Sequence, residues 1–227
     1  MITRSLYEFN SAAGNALKIT GVPGTVFGHS VSNLGDINKD GTDDLLVGTL
    51  FGDLVYVLWG QKGAVNNGWN KDINLTLWKE GERGFTIRGS GSKHWLGSAM
   101  IRSQRGGGDV NGDGINDFIL GDYGEYNSSF IGSVWVIYGH KDPWNWQALD
   151  LNSLNGTSIG FQITPVNASD KLGITVGIIG DVNGDGISDV AVNAYWGFPA
   201  YVFMIFRRNG SFPSVVDEKF LDSINGV

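Results

Sequence analysis

Asp109-Val110-Asn111-Gly112-Asp113-Gly114-Ile115-Asn116-Asp117 presents an oxygen-bearing side chain at its first, third, fifth and ninth positions, with a glycine at the sixth, where the chain must turn. The same order recurs as Asp36-Ile37-Asn38-Lys39-Asp40-Gly41-Thr42-Asp43-Asp44 and as Asp181-Val182-Asn183-Gly184-Asp185-Gly186-Ile187-Ser188-Asp189. The loops begin 73 and 72 residues apart, and regular spacing on that scale predicts a repeat architecture.

The flanks repeat as well. Short stretches opening on Phe27-Gly28, Leu96-Gly97 and Leu172-Gly173 lead into the loops, and apolar runs leave them from Asp44 to Gly48, Asp117 to Gly121 and Asp189 to Asn193. A third run, rich in β-branched and aromatic residues, follows at 54–59, 133–138 and 201–206. A fourth stands at 85–88 and 161–164, with its N-terminal counterpart at 16–19. Four strands per unit, turns rich in Gly and Asn, and no helical period predict an all-β fold of β-propeller blades, each of four antiparallel strands. The repeats run approximately over 16–84, 85–160 and 161–227 of a single region, and the N-terminal strand is expected to complete the last blade. Three blades fall below the usual minimum of about four, so the ring is expected to be incomplete or permuted. Its exposed ends then require either self-association or the remaining blades of a longer chain.

Composition narrows the partners. The 227 residues carry a formal charge of −7, and nine of the 23 acidic residues occupy the first, fifth and ninth loop positions. A phosphate backbone demands clustered Lys and Arg, so nucleic acid is not expected as a partner. Cysteine is absent, which excludes disulfides and leaves the compartment unmarked by redox chemistry. No run approaches eighteen apolar residues, so membrane insertion is not expected, and the first residues lack the apolar core of a signal peptide. The expectation is a cytosolic chain or a mature or excised segment.

The loop chemistry points to a hard cation. Oxygen ligands from Asp36, Asn38, Asp40 and Asp44, with the Thr42 carbonyl at the seventh position, suit calcium, which takes six to eight oxygens at roughly 2.3–2.6 Å. The second set is Asp109, Asn111, Asp113, Asp117 and the Ile115 carbonyl; the third is Asp181, Asn183, Asp185, Asp189 and the Ile187 carbonyl. Magnesium ranks second because it demands a stricter octahedron, and zinc prefers nitrogen or sulfur. An EF-hand opens in the same way but needs glutamate at position twelve, where this chain has Val47, Leu120 and Val192. Ordinary Asx and Gly turns are the bland alternative, and three matches in register weigh against it. Loop one departs most, with Lys39 and an additional Asp43.

The order of Phe-Gly, acidic loop and Leu-Leu-Val-Gly resembles the FG-GAP repeats of the integrin α-subunit propeller over nearly the whole chain. Phe27-Gly28, Leu96-Gly97 and Leu172-Gly173 take the place of the first motif half; Val47-Gly48-Thr49, Leu120-Gly121-Asp122 and Val192-Asn193-Ala194 stand where the family has Gly-Ala-Pro. No unit keeps Gly-Ala-Pro, the repeats are longer than the family's usual length, and unit two carries Arg102 to Gly108 between its first strand and its loop. The resemblance implies up to three structural calcium ions in hairpin loops on one face of the ring, an extracellular or cell-surface location, and a role in adhesion or assembly. It leaves ligand recognition of the integrin kind open.

Other chemistry is thin. His29, His94 and His140 form no recognisable catalytic set, and without cysteine no enzyme is expected. Trp144 and Trp146 would serve a lectin-like, glycan-binding alternative, against the plainer role of core or connector packing. The propeller portion of a polysaccharide-active enzyme is a further alternative. Asn74, Asn127, Asn155, Asn167 and Asn209 head Asn-x-Ser/Thr sequons, candidate glycan sites in a secreted glycoprotein.

Overall fold

A computed structural model describes residues 17–62, 72–89, 96, 100–101, 107–122, 132–141, 147–154, 158–165, 172–194, 201–206, 212 and 215–217. These residues form an all-β, partial propeller-like arrangement with no α-helix among them.

The strands follow the apolar runs of the sequence. In the first sheet β2 (Phe27–Gly35), β3 (Asp44–Thr49), β4 (Leu54–Leu58) and β6 (Gly84–Arg88) pair antiparallel in chain order. The turn from β3 to β4 uses Gly52 and Asp53 at φ 104° and 50°, a left-handed pair that glycine makes inexpensive. The second sheet joins β8 (Phe118–Asp122), β9 (Ser133–Ile137) and β11 (Gly160–Ile163); the third joins β12 (Leu172–Gly180), β13 (Asp189–Ala194) and β14 (Tyr201–Ile205).

Side chains alternate between the two faces of each sheet and so build the seams between sheets. Val55 and Val57 of β4 pack with Phe118 and Leu120 of β8, and Trp135 and Ile137 of β9 join the same cluster. The opposite face of β9 sends Val134 and Val136 into a second cluster with Val190 and Val192 of β13 and Ile205 of β14. Burying a side chain of this size stabilises by about 1.5–3 kcal/mol, so the two seams dominate cohesion.

Two findings differ from four purely antiparallel strands per blade. Two-residue strands add in parallel at the outer edge: β10 (Leu149–Asp150) pairs with β6, β15 (Val215–Val216) with β11, and β5 (Ile73–Asn74) with β1 (Ile19–Thr20). After β5 and β10 the chain makes a short 3-10 turn, at Leu75–Leu77 and Leu151–Ser153, each capped by the preceding side chain: Thr76 N–H donates to Asn74 Oδ1 at 3.0 Å and Asn152 N–H to Asp150 Oδ1 at 2.9 Å. The inserted leucines Leu75 and Leu151 are buried, which ties each connector to the neighbouring sheet.

The second difference concerns β7 (Met100–Ile101). It was expected beside β8, yet it pairs in parallel with β12 of the third sheet, Met100 opposite Thr175. Unit two has eleven residues between Leu96 and Gly108 where unit one has seven between Phe27 and Gly35. The longer spacing loosens the constraint of the loop hairpin on β7, and among the described residues of unit two the Gly108–Asp117 bridge retains the pairing that Gly35 and Asp44 make in unit one.

Candidate functional site

The three acidic loops share one internal hydrogen-bond plan. In the second, Asp109 accepts from the N–H groups of Gly112, Asp113 and Gly114; Asn111 Oδ1 accepts from Asp113 N–H at 2.8 Å, and Asp113 Oδ1 from Ile115 N–H at 2.8 Å. In the third, Asp181 accepts from Gly184, Asp185 and Gly186, Asn183 from Asp185 at 2.9 Å, and Asp185 from Ile187 at 2.9 Å. In the first, Asp36 accepts from Asp40 and Gly41, Asn38 from Asp40, and Asp40 from the Thr42 N–H and hydroxyl. This is the Asx-turn chemistry that short acidic side chains provide.

Loop one differs at its fourth residue. Lys39 sits at φ 59°, where Gly112 and Gly184 hold 81° in the other loops, so a side chain occupies a left-handed position at a small energetic cost. Its ammonium leaves its own loop and donates to the Gly114 carbonyl of loop two at 3.2 Å. Asp43 is engaged by Asn33 Nδ2 at 2.9 Å, outside the expected ligand set.

The ninth-position carboxylates anchor the loops to the sheets. Asp44, Asp117 and Asp189 are buried to 1%, 0% and 0% exposure. Asp117 accepts from Val110 N–H at 2.7 Å and from Gly139 N–H at 2.8 Å; Asp44 accepts from Ile37 N–H at 3.0 Å and Gly60 N–H at 2.8 Å. Burial nevertheless pushes both carboxyls up to about 7, the backbone donors offsetting part of that effect and the like charges of Asp36 and Asp40, or Asp109 and Asp113, adding to it. The exposed Asp181 carboxylate is held below its ordinary value, chiefly by the Gly186 N–H.

The loops also touch one another in series. His140 N–H, beside loop two, donates to the Ile37 carbonyl at 2.9 Å, and Ser188 N–H of loop three donates to the Asp109 carbonyl at 2.9 Å. Their second residues, Ile37 and Val110, enter the first and second seams. Each of these two loops therefore bears on the packing between neighbouring sheets.

As a cation site the donor set fits in kind, being all oxygen with a surplus of negative charge beside a buried carboxyl. Among the described residues, however, no three acidic or imidazole side chains converge as a ready ligand cluster, because the carboxylates are turned onto loop amides. Gly60 and Gly139 were missed at the sequence level. A Cβ on Gly139 would overlap the Asn116 carbonyl oxygen and one on Gly60 that of Asp43, so both must be glycine to deliver their N–H groups to Asp117 and Asp44. The signal was present as Trp59-Gly60 and Tyr138-Gly139, an aromatic-glycine pair closing the third strand.

Of the other candidates, His29 and His140 are exposed, and Asn74 is exposed with its Oδ1 accepting from both Thr76 N–H and Thr76 Oγ1, the latter at 2.8 Å. His94, Trp144, Trp146, Asn127, Asn155, Asn167 and Asn209 lie outside the described residues. No helix among the described residues is long and apolar enough to cross a membrane.

No family model matches the chain. Curated relatives do. Integrin alpha pat-2 of Caenorhabditis elegans is 31% identical over 182 residues, covering 76% of this chain and 13% of that protein. Integrin alpha-PS5 of Drosophila melanogaster is 29% identical over 53% of this chain and 11% of its own length, and integrin alpha-5 of Xenopus laevis 29% identical over 43% and 8%. The matched stretch thus spans about an eighth or less of each relative's length. With the acidic hairpin loops, the strand order and the relatives in agreement, the chain carries an integrin α-like, FG-GAP-related region.

Proposed function

We propose that this chain is a calcium-stabilised propeller module that presents a protein-binding surface in adhesion or extracellular assembly, with calcium as a structural part. The observation that carries the reading is the repetition of one loop geometry three times, each loop closed by a buried carboxylate. Asp36, Asn38, Asp40, Asp44 and the carbonyl of Thr42 would hold the first ion, and the equivalent residues of the other loops the second and third. When bound, the ion supplies positive charge to carboxylates that are costly to bury unpaired. The chain's own residues do the rest: Asp117 and Asp44 fix the loop to the strand end, and Ile37 and Val110 fix it to the seam. The integrin names of the relatives support a surface location and a protein partner.

Differential scanning calorimetry in EGTA against millimolar calcium tests the reading. An ion at about 100 times its Kd adds about 2.7 kcal/mol per site. For a domain of this size that corresponds to about 5–10 °C in Tm for each occupied site. An unchanged Tm would remove the metal from the account.

A further inference from the structure

The connectors of the first two units follow one plan, and the places where they part single out a site. Ile73-Asn74 and Leu149-Asp150 are equivalent outer strands, and the 3-10 turns after them bury Leu75 and Leu151 alike. Asp150 caps its turn as Asn74 does, with Asn152 N–H 2.9 Å from Asp150 Oδ1, so the cap does not require asparagine. The last residue of the turn is the exposed Ser153 in unit two; in unit one it is Leu77, which is 77% exposed. The next residue is the buried Leu154 in unit two and the half-buried Trp78 in unit one, which sets its ring edge-on to Tyr56. The connector's fold thus calls for neither the asparagine nor the exposed leucine.

Among the described residues, the unit-one turn walls a cavity of about 260 Å3. Leu77 and Trp78 give it an apolar side, Asp72 and Glu82 bring acceptors, and Lys79 and Arg83 bring donors. Pockets for drug-sized ligands run to about 300–1,000 Å3, so this one suits a single ring. An apolar wall flanked by donors and acceptors together matches a sugar, which carries C–H groups on its ring faces and hydroxyl groups around its edge. Asn74 lines the same cavity and heads the sequon Asn74-Leu75-Thr76. Its two bonds from Thr76 are both accepted at Oδ1, which leaves Nδ2 outside them.

We infer that this cavity seats the first N-acetylglucosamine of a glycan linked to Asn74. The linkage forms when Nδ2 displaces the diphosphate of a lipid-linked oligosaccharide: the bond from Nδ2 to the sugar C1 forms, the C1–O bond to the diphosphate breaks, and the amide gives up one proton. Attachment at the cavity's rim holds the sugar there at high effective concentration, so a weak seat is enough. The ring covers Leu77, and the acetamido and hydroxyl groups meet the charged side chains around it. The inference rests on the extracellular reading above and is independent of the metal.

The test uses the full chain with Asn127, Asn155, Asn167 and Asn209 each changed to Gln, so that Asn74 is the one sequon left. Secreted from a mammalian host and trimmed by an endoglycosidase to one N-acetylglucosamine, it should melt about 2–6 °C above the same chain made without glycan in bacteria, at equal calcium. Leu77→Ser should keep the glycan and leave the bacterial Tm within about 1 °C, yet lose most of that rise. Independently, in the otherwise wild-type secreted chain, Leu77→Ser should speed enzymatic release of the Asn74 glycan under native conditions by at least about threefold. An unmodified Asn74, equal Tm with and without the sugar, a rise that survives Leu77→Ser, or an unchanged release rate each overturns the seat. The host supplies the compartment and calcium is held constant, so any of these failures leaves the adhesion reading standing.

Discussion

Without metal, the protein should become less stable as the pH rises from 5 to 8, and calcium should reverse the trend. Asp117 and Asp44 are buried, and their carboxyls ionise at about 7 in the folded chain against 3.8 for the free group. Below about pH 4 both states are protonated and the groups contribute nothing. Between 3.8 and 7 the unfolded chain releases protons that the folded chain retains, so unfolding is increasingly favoured. Above 7 the penalty levels off at an upper bound of about 4 kcal/mol per group. Local relaxation and solvent counter-ions lower this, and about 2–4 kcal/mol for the pair is expected, or about 5–15 °C in Tm. Asp181, with its carboxylate held low, contributes only below its ordinary value and leaves this window clear. Calcium bound as proposed would displace the protons and neutralise the carboxylates, so its effect on Tm should be smallest at pH 5 and largest at pH 8. Melting curves in EGTA and in calcium across that range decide the matter. An EGTA series that is flat or rises with pH, in the wild type and in Asp117→Asn alike, would refute the reasoning.

Gly139→Ala should cost about 2–4 kcal/mol, because its Cβ meets the Asn116 carbonyl and the displaced N–H no longer reaches Asp117; urea unfolding measures it. Phe118→Ala, which empties a fully buried site in the first seam, should cost about 3–5 kcal/mol by the same assay. Asn74→Ala removes the cap of an exposed 3-10 turn and should cost about 1 kcal/mol. If the chain is made in a eukaryotic secretory host, Asn74 should carry a glycan, since Asn74 and Thr76 of its sequon are exposed and the Thr76 hydroxyl engages the Asn74 side-chain oxygen; peptide mass spectrometry before and after deglycosylation reads this directly.

The loops and their flanking strands were legible because both obey short-range rules. Asp36, Asp109 and Asp181 satisfy backbone donors within five residues, and runs such as Leu54 to Leu58 alternate between two buried faces whatever lies beyond them. The partner of β7 was not legible, because the choice between β8 and β12 depends on how the Arg102 to Gly108 insertion relaxes a register, which no local pattern encodes. The stretches 72–78 and 147–151 read in the sequence as short extended or helical connector pieces, and β5 and β10 with their 3-10 turns lie there; their parallel partners, like that of β15, were not legible, because each is a strand far along the chain. Within the site, the Gly60 and Gly139 donors to Asp44 and Asp117 come from 16 and 22 residues downstream, beyond the reach of a nine-residue motif.

The serial contacts between the loops make the arc directional. Loop two is held from both sides, through the His140 N–H and Ser188 N–H bonds and through Lys39, whereas loop three is held on one side among the described residues and keeps Val182 in water. Fluctuations should therefore grade along the molecule, with amide hydrogen exchange slowest around Val110 and fastest around Val182, and ions should leave in that reverse order under chelation. A partner that covered the third sheet would even out the gradient, turning three unequal sites into a set that releases its ions together.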